Sequence, residues 1–325
     1  MLNDFSKQKE IVIEGDRFFN LMYRPFTKTF VYFDASLNDM RYQNHKFFPN
    51  TDTKNKYICV TGVGSQRGYS VIASDTLPDV QLLQNCQYFS LNSFEHDIIH
   101  DGLFAQKIDK NNNGSSTLNV KILEQLKLFY DEQDIENEDL FNYCYAVLHS
   151  EEYLEKFENN LANSLPRIPL TKNIKSFREF CVIGKKLLDF HIGYESADLH
   201  PVTINAETPQ LFEKKDPISF YRVEKMKYAK KGDKSTVIYN KNITIENIPL
   251  EAYEYVVNGK AALEWVMGRQ FVKTDKASGI VNDANDYANE TMNNPAYPLE
   301  LFQRVITVSI ETMKLVKSLP KLDIN

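Results

Sequence analysis

The spacing of apolar positions changes along this chain, from short unbroken runs near the N-terminus to helical intervals further on. Ile11 to Ile13, Phe18 to Tyr23 and Thr29 to Phe33 are aromatic or β-branched runs separated by Gly15-Asp16 and Pro25, which predicts strands or extended segments. Tyr57 to Thr61 reads as a strand entering the loop Gly62-Val63-Gly64-Ser65-Gln66-Arg67-Gly68. Tyr69 to Ala73 returns from it, and Cys86 to Leu91 adds another strand. Beyond the polar tract of Asn111 to Asn113, Gly114, Ser115 and Ser116 the period becomes helical. Leu140, Phe141, Cys144, Val147 and Leu148 form one stripe, and Tyr153, Leu154, Phe157 and Leu161 a second. Phe177, Cys181, Leu187 and Leu188 form a third, which ends near Gly193. Ser150 before Glu151 and Glu152 is placed to cap the second, and Ser176 with Glu179 has capping-box spacing for the third. Ile218 to Ile248 reverts to three β-rich runs broken by Lys230 to Lys234 and Asn240 to Asn242, a small antiparallel meander. A closing helix follows from Pro298 to Leu319, apolar on most of its surface. The expected class is α+β. Residues 1–110 form a β-rich part, 111–130 a linker, and 131–325 a helical part carrying the meander 218–248.

Composition narrows this picture more than it extends it. With 325 residues, 42% hydrophobic and 25% charged, the chain can bury one large core or two smaller ones. No apolar run approaches ~20 residues and the polar N-terminus has no signal-peptide core, so the expectation is a cytoplasmic protein without a membrane span. Cys59, Cys86, Cys144 and Cys181 lie far apart without paired spacing, which fits reduced thiols better than a zinc ribbon or a disulfide framework. A net charge of −6 confines any phosphate-binding surface to a local cluster. Asp131 to Asp139 is acidic and would repel phosphate. Arg222, Lys225, Lys227, Lys230, Lys231, Lys234 and Lys241 are opposed only by Glu224 and Asp233, so this run is either a solvated hairpin edge or a phosphate-binding one.

Four stretches carry candidate chemistry. The glycines of 62–68 suggest a nucleotide loop, but that fingerprint must open a helix, and β-branched and aromatic residues follow Gly68. The loop therefore reads as a hairpin tip bearing Ser65, Gln66 and Arg67, with Tyr69 behind it. It is either an ordinary polar turn or a base reader, since Arg can grip guanine and Gln adenine. His96 and His100 stand one helical turn apart, as in zinc proteases, yet Asp97 is shorter than the glutamate base and a third ligand is missing. Asn294-Pro295-Ala296-Tyr297 imitates the adenine-gripping Asn-Pro-Pro-Tyr element of amino-methyltransferases, but Ala296 replaces its second proline and no cofactor motif precedes it. A helix-start turn is the better reading. From Glu251 to Asn285, Pro249 and Gly259 bound two short helices packed around Trp265, the only tryptophan. A polar loop with Lys273, Thr274, Asp275, Lys276, Ser278 and Gly279 comes after them.

That last stretch resembles the C-terminal region of type ISP restriction-modification enzymes, in which a nuclease, a helicase-like motor, an adenine methyltransferase and a target-recognition domain follow one another in a single chain. Tyr23-Arg24-Pro25-Phe26, then Tyr32-Phe33-Asp34, Arg41-Tyr42 and Phe47-Phe48-Pro49, are similar to the element that follows the methyltransferase core of that family. So are Leu140 to Ser150 and Leu165 to Leu170. Thr27 stands where the family often has Asp, and Arg41-Tyr42 where it has Arg-Pro, which marks a variant subgroup. The resemblance is weakest between 70 and 130. It implies sequence-specific recognition of double-stranded DNA, with Ser65, Gln66, Arg67, Tyr69, Lys225, Lys227, Lys230, Lys273, Thr274 and Lys276 as contacts. It further implies a methyltransferase portion of the same enzyme as partner. Catalysis and its cofactors, S-adenosylmethionine, ATP and Mg, belong to other domains, and no catalytic or metal site is expected here. The rival readings are a scaffold that packs on the methyltransferase without reading bases, and a cryptic enzyme using 294–297 or His96 and His100, which predicts bound S-adenosylmethionine or stoichiometric zinc.

Overall fold

Pro25 and Phe26 make the corner between β1 (Phe18–Arg24) and β2 (Thr27–Tyr32), where Arg24 pairs with Thr27. Phe26 takes a left-handed φ of 57°, costly for a bulky residue, and its ring is fully buried edge-on to Tyr194. The core thus holds the corner in place and leaves Tyr23 and Arg24 half-exposed beside it. The computed structural model describes residues 12–38, 41–94, 115–118, 120–206 and 216–324.

β3 (Tyr57–Val60) is buried along its whole length and pairs antiparallel with β4 (Val71–Ser74) and β6 (Gln87–Ser90), while the short β5 (Leu77–Pro78) joins β1 in parallel. Because side chains alternate along a strand, Tyr57 and Cys59 enter one hydrophobic cluster and Ile58 and Val60 another. The first cluster unites β1, the meander, the Trp265 helix and the closing helix. The second unites the helices between 120 and 192 with the other face of β3 and β4. Both clusters therefore cross the sequence division at 111–130. Of the expected linker tract, Ser115–Ser116 forms β8 and pairs with β7 (Asn92–Ser93).

The helical segments follow the predicted stripes with some adjustments. The first stripe forms Asn137–Val147. The second breaks at Phe157 into Glu151–Lys156 and Glu158–Asn163, and Ser150 accepts a hydrogen bond from the Tyr153 amide at 3.4 Å. The third forms Ile174–Ile192, but its cap is Asn173, which accepts from the Ser176 amide at 2.9 Å; Ser176 already lies inside the helix, so the Ser176–Glu179 box does not form. Gly184 lets this helix approach Asn142 closely, since a Cβ there would stand 1.9 Å from the Asn142 carbonyl oxygen.

The meander has four strands rather than three, β9 (Thr203–Ala206), β10 (Lys227–Lys230), β11 (Asp233–Ile238) and β12 (Ile243–Glu246), in the order β10-β11-β12-β9. The three expected runs supply β10 to β12 and β9 is the addition, but the start of the first run forms a short helix, Pro217–Tyr221, because Pro217 fits a first turn and Asp216 caps it through the Ser219 amide. The first of the two helices expected around Trp265 is only a 3₁₀ turn, Leu250–Tyr253. Next comes a hairpin of β13 (Val256–Val257) and β14 (Lys260–Ala261), then the helix Ala262–Arg269. Asn258 and Gly259 turn that hairpin with φ of 50° and 77°, as an Asn-Gly pair favours. The closing helix Tyr297–Lys317 starts with Pro298 in its first turn, and Asn294 serves the turn before it by accepting the Ala296 amide. Among the described residues no helix is long and apolar enough to cross a membrane.

Candidate nucleic-acid interface

The Gly62–Gly68 loop leaves β3 and is clamped by parts of the chain remote in sequence. The Ser65 hydroxyl donates to Gln84 Oε1 at 3.1 Å, and the same oxygen accepts the Gln66 amide at 3.2 Å. The Arg67 amide in turn donates to Ser65 Oγ at 3.2 Å, so the serine is committed to shaping the loop. The Gln84 amide donates to Asn258 Oδ1, and the Asn258 amide donates to Ser70 Oγ at 2.8 Å, which ties the segment before β6 and the entry to β4 to the 258–259 turn. Gly62 passes so close to Asn85 that a Cβ would stand 1.7 Å from its carbonyl oxygen. With the backbone fixed in this way, the side chains of Gln66 and Arg67 stay exposed, without a hydrogen bond among the described residues.

Tyr69 does not join them. It packs on the second cluster beside Tyr153, and its hydroxyl is buried without a partner, so burial raises its pKa far above the usual phenol value. It walls a cavity of about 420 Å³ between the loop and the helix pair at Leu154 and Leu161.

The two basic stretches, separate in sequence, meet in space. β15 (Val272–Thr274) and β16 (Val281–Asp283) form a hairpin whose base is joined to residues 222–225. Lys225 bridges Phe271, and the Val272 amide donates to the Glu224 carbonyl at 2.9 Å. Arg222 pairs with Asp283 at 2.7 Å, and Asn285 exchanges hydrogen bonds with both backbone groups of Val223. Burial tends to raise the Asp283 pKa, but hydrogen bonds from Asn285 and Arg222 outweigh it and hold the carboxyl below its usual range. The tip is shaped from within. Asp275 accepts from the Ser278 and Ala277 amides and the Ser278 hydroxyl, bonds that lower its pKa, and Gly279 closes the turn at φ 72°.

Lys273, Thr274 and Lys276 are exposed on this hairpin, and among the described residues neither lysine has an ion pair. Lys225 and Lys227 are likewise exposed and free of carboxylates, whereas Lys234 is held by Glu264 at 2.9 Å. Lys230 sits at the far end of the β10–β11 hairpin, opposite Asp233. The structure thus gathers Lys225, Lys273, Thr274 and Lys276 around one hairpin and places Lys230 on another.

Arg24 pairs with Asp79 at 2.7 Å, the local ion pair that an aromatic crossing predicts. His96 and His100 lie outside the described residues, and among those described no group of three or more His, Cys, Asp or Glu is placed to hold a metal ion. Sequence reasoning missed Gln84 and Asn258, which set the position of the loop. The Asn-Gly pair was a legible turn signal, but Gln84 carries none.

Residues 1–301 match the family described as the Type ISP C-terminal specificity domain. The fold is similar to that of the ATP-dependent Type ISP restriction-modification enzyme LlaBIII bound to DNA, at 33% identity and a TM-score of 0.84, with 100% of this chain and 20% of that one covered. A nuclease-deletion mutant of the Type ISP enzyme LlaGI, in complex with a DNA substrate mimic, gives 33% identity and a TM-score of 0.80, covering 99% of this chain and 26% of that one. A DrdV–DNA complex gives 27% identity and a TM-score of 0.80, with 98% and 30% covered. This chain therefore spans between a fifth and a third of the length of these relatives. A search of the curated proteins returns no match.

Proposed function

Since this chain belongs to the Type ISP C-terminal specificity domain family, we propose that it recognises a specific sequence in double-stranded DNA and so sets where a restriction-modification enzyme acts. The observation that carries this reading is the pairing of a rigidly clamped loop, whose Gln66 and Arg67 side chains are unengaged, with a separate group of unpaired lysines. Base edges are read by side chains held in register, and phosphates by cations that need only be near. Gln66 and Arg67 are the base readers in this scheme. Lys225, Lys227, Lys273 and Lys276 meet the backbone with Thr274, while Ser65 and Tyr69 hold the loop from behind. Lys230 lies further out and contributes by charge. Adenine methylation with S-adenosylmethionine, and ATP- and Mg-dependent movement, we place in other parts of such an enzyme. We assign this chain no catalytic step.

The test is affinity selection from a pool of random duplexes at two salt concentrations. Enrichment of one asymmetric site, with affinity falling as salt rises, is the expected result. No enrichment in either condition would favour a scaffold that packs on the methyltransferase.

A further inference from the structure

Between the loop and the basic hairpin lies a group of cations and aromatic rings that the scheme above does not use. Arg269 follows Trp265 by four residues on one helix, so both point to the same side. Its guanidinium carbon lies 5.8 Å from the centre of the Trp265 ring and 5.6 Å from that of Tyr23. Lys260 Nζ stands 5.2 Å from the centre of the same Trp265 ring, which is fixed by its indole N–H donating to the Val257 carbonyl at 2.7 Å. The Arg24 guanidinium lies 4.0 Å from the centre of the Tyr23 ring. Three cations therefore surround two rings, and among the described residues Arg24 is the one of them with a carboxylate partner, Asp79.

Among the described residues neither Arg269 nor Lys260 forms an ion pair. A half-buried guanidinium without an acceptor, next to a second one, is an unfavourable arrangement that an anion would relieve. Burial and the charge of Arg24 both act against the protonated form of Arg269, yet arginine keeps its proton in proteins, so the positive charge remains. The place of the group in the fold says which anion. Lys260 follows Gly259, against which Arg67 leans at 3.4 Å from the position of an added Cβ, and Arg269 lies two residues before Phe271, the bridge partner of Lys225. The cations thus connect the two surfaces already assigned to DNA.

We propose that Arg269 and Lys260, seated on Trp265 and Tyr23 beside Arg24, form a clamp for backbone phosphates that fixes the register in which Gln66 and Arg67 meet the bases. The clamp rests on the DNA-recognition reading and adds to it the residues that position the duplex. A planar guanidinium lying near two packed rings has lost part of its freedom before binding, which suits a fixed phosphate contact better than a mobile lysine does.

The test uses this chain with two labelled duplexes, one carrying the selected site and one with that site scrambled, titrated across a range of salt. For Arg269→Ala, affinity should fall about tenfold on the selected duplex and less on the scrambled one, so that the ratio between them narrows, and the log–log salt slope should shrink by about 1; an equal loss on both would overturn the register role. Lys260→Ala should act in the same direction more weakly. Arg269→Lys should restore the slope but not the full affinity, which a merely structural role would not produce. Thermal melting checks that each variant is folded; should Arg269→Ala fail to fold, Arg269→Lys and Lys260→Ala decide. If folded variants keep the wild-type affinity and slope while the unaltered chain still discriminates the two duplexes, the clamp is wrong and these cations serve another partner. If the unaltered chain does not discriminate, it is the DNA-recognition reading that fails.

Discussion

The Gly62–Gly68 loop and the Val272–Asp283 hairpin both end in exposed polar tips, but they are stabilised in opposite ways. The loop depends on residues far away in sequence: Gln84, Asn258, Gly259 and the Ala162 carbonyl, which receives the Gly64 amide at 3.4 Å. The hairpin is attached at its base by residues 222–225, and its tip is held by its own Asp275. Position at the loop is thus a property of the whole fold, and position at the hairpin is mostly local. The difference suits the two tasks proposed for them, because base readout fails with a small displacement and phosphate contact tolerates one.

The strongest challenge to this contrast is Gly62→Ala. The added carbon meets backbone at Asn85, so we expect a loss of about 3 kcal/mol or more in urea unfolding, together with loss of site-selective binding. Gly64→Ala has open space and only a φ of 77° to oppose it, and should cost about 1 kcal/mol. Equal costs would mean that the loop is not wedged as described.

Acid should also distinguish the two elements, through the helical core on which the loop rests. His149 and His191 are buried close together, and burial lowers the His149 pKa to about 4 and that of His191 well below normal. Both are neutral in the fold, while the unfolded chain takes up protons as pH falls through about 6.5. Stability is therefore full above pH 7 and declines between roughly pH 6.5 and 4, by about 3 kcal/mol for His149 alone. Urea midpoints measured across that range should show the decline, and His149→Gln should reduce it. Selective binding should fall with it, and hydrogen exchange at the hairpin tip should not follow.

Substitution of Arg67 or Gln66 by Ala should cost about 1–3 kcal/mol of discrimination at one base position and leave the urea midpoint in place. Asp275→Ala is smaller still. Losing the bonds to Ser278 and Ala277 should speed amide exchange at the tip by roughly fivefold to tenfold, as for about 1 kcal/mol, with the melting temperature of the whole chain unchanged. Last, Lys273→Ala and Lys276→Ala should each reduce the salt slope by about 1 without altering base preference.

The sequence revealed these elements to different depths. Strands β1 to β4 were legible as aromatic or β-branched runs bounded by turn residues, and the helices between Asn137 and Ile192 because a period of 3.6 records which side is buried; the helix Val120–Tyr130 was missed inside the expected linker. Pro217–Tyr221 misled because Phe220 and Tyr221 favour strands by composition, while Pro217 and the Asp216 cap decide the backbone locally. Ser176 misled by one turn, since Asn173 caps equally well and comes earlier. At the interface, the exposed residues Gln66, Arg67, Lys225 and Lys273 could be picked out as residue types. What holds them could not, because Gln84 and Asn258 are separated by 174 positions and meet only through the fold. The alternation of Tyr57 to Val60 between two cores was equally hidden, for a strand buried on both faces has no period to read.

The exposed side chains of the 62–68 loop have a consequence for inheritance. The placement of its tip is encoded in Gly62, Ser65, Gln84 and Asn258, and its chemistry in Gln66 and Arg67, whose side chains make no hydrogen bond among the described residues. A lineage can therefore replace residues 66 and 67 without rebuilding the support beneath them. On the proposed reading, new target sequences become accessible by one or two substitutions at little cost to folding, while changes at Gly62 or Gln84 disturb the loop whatever the target.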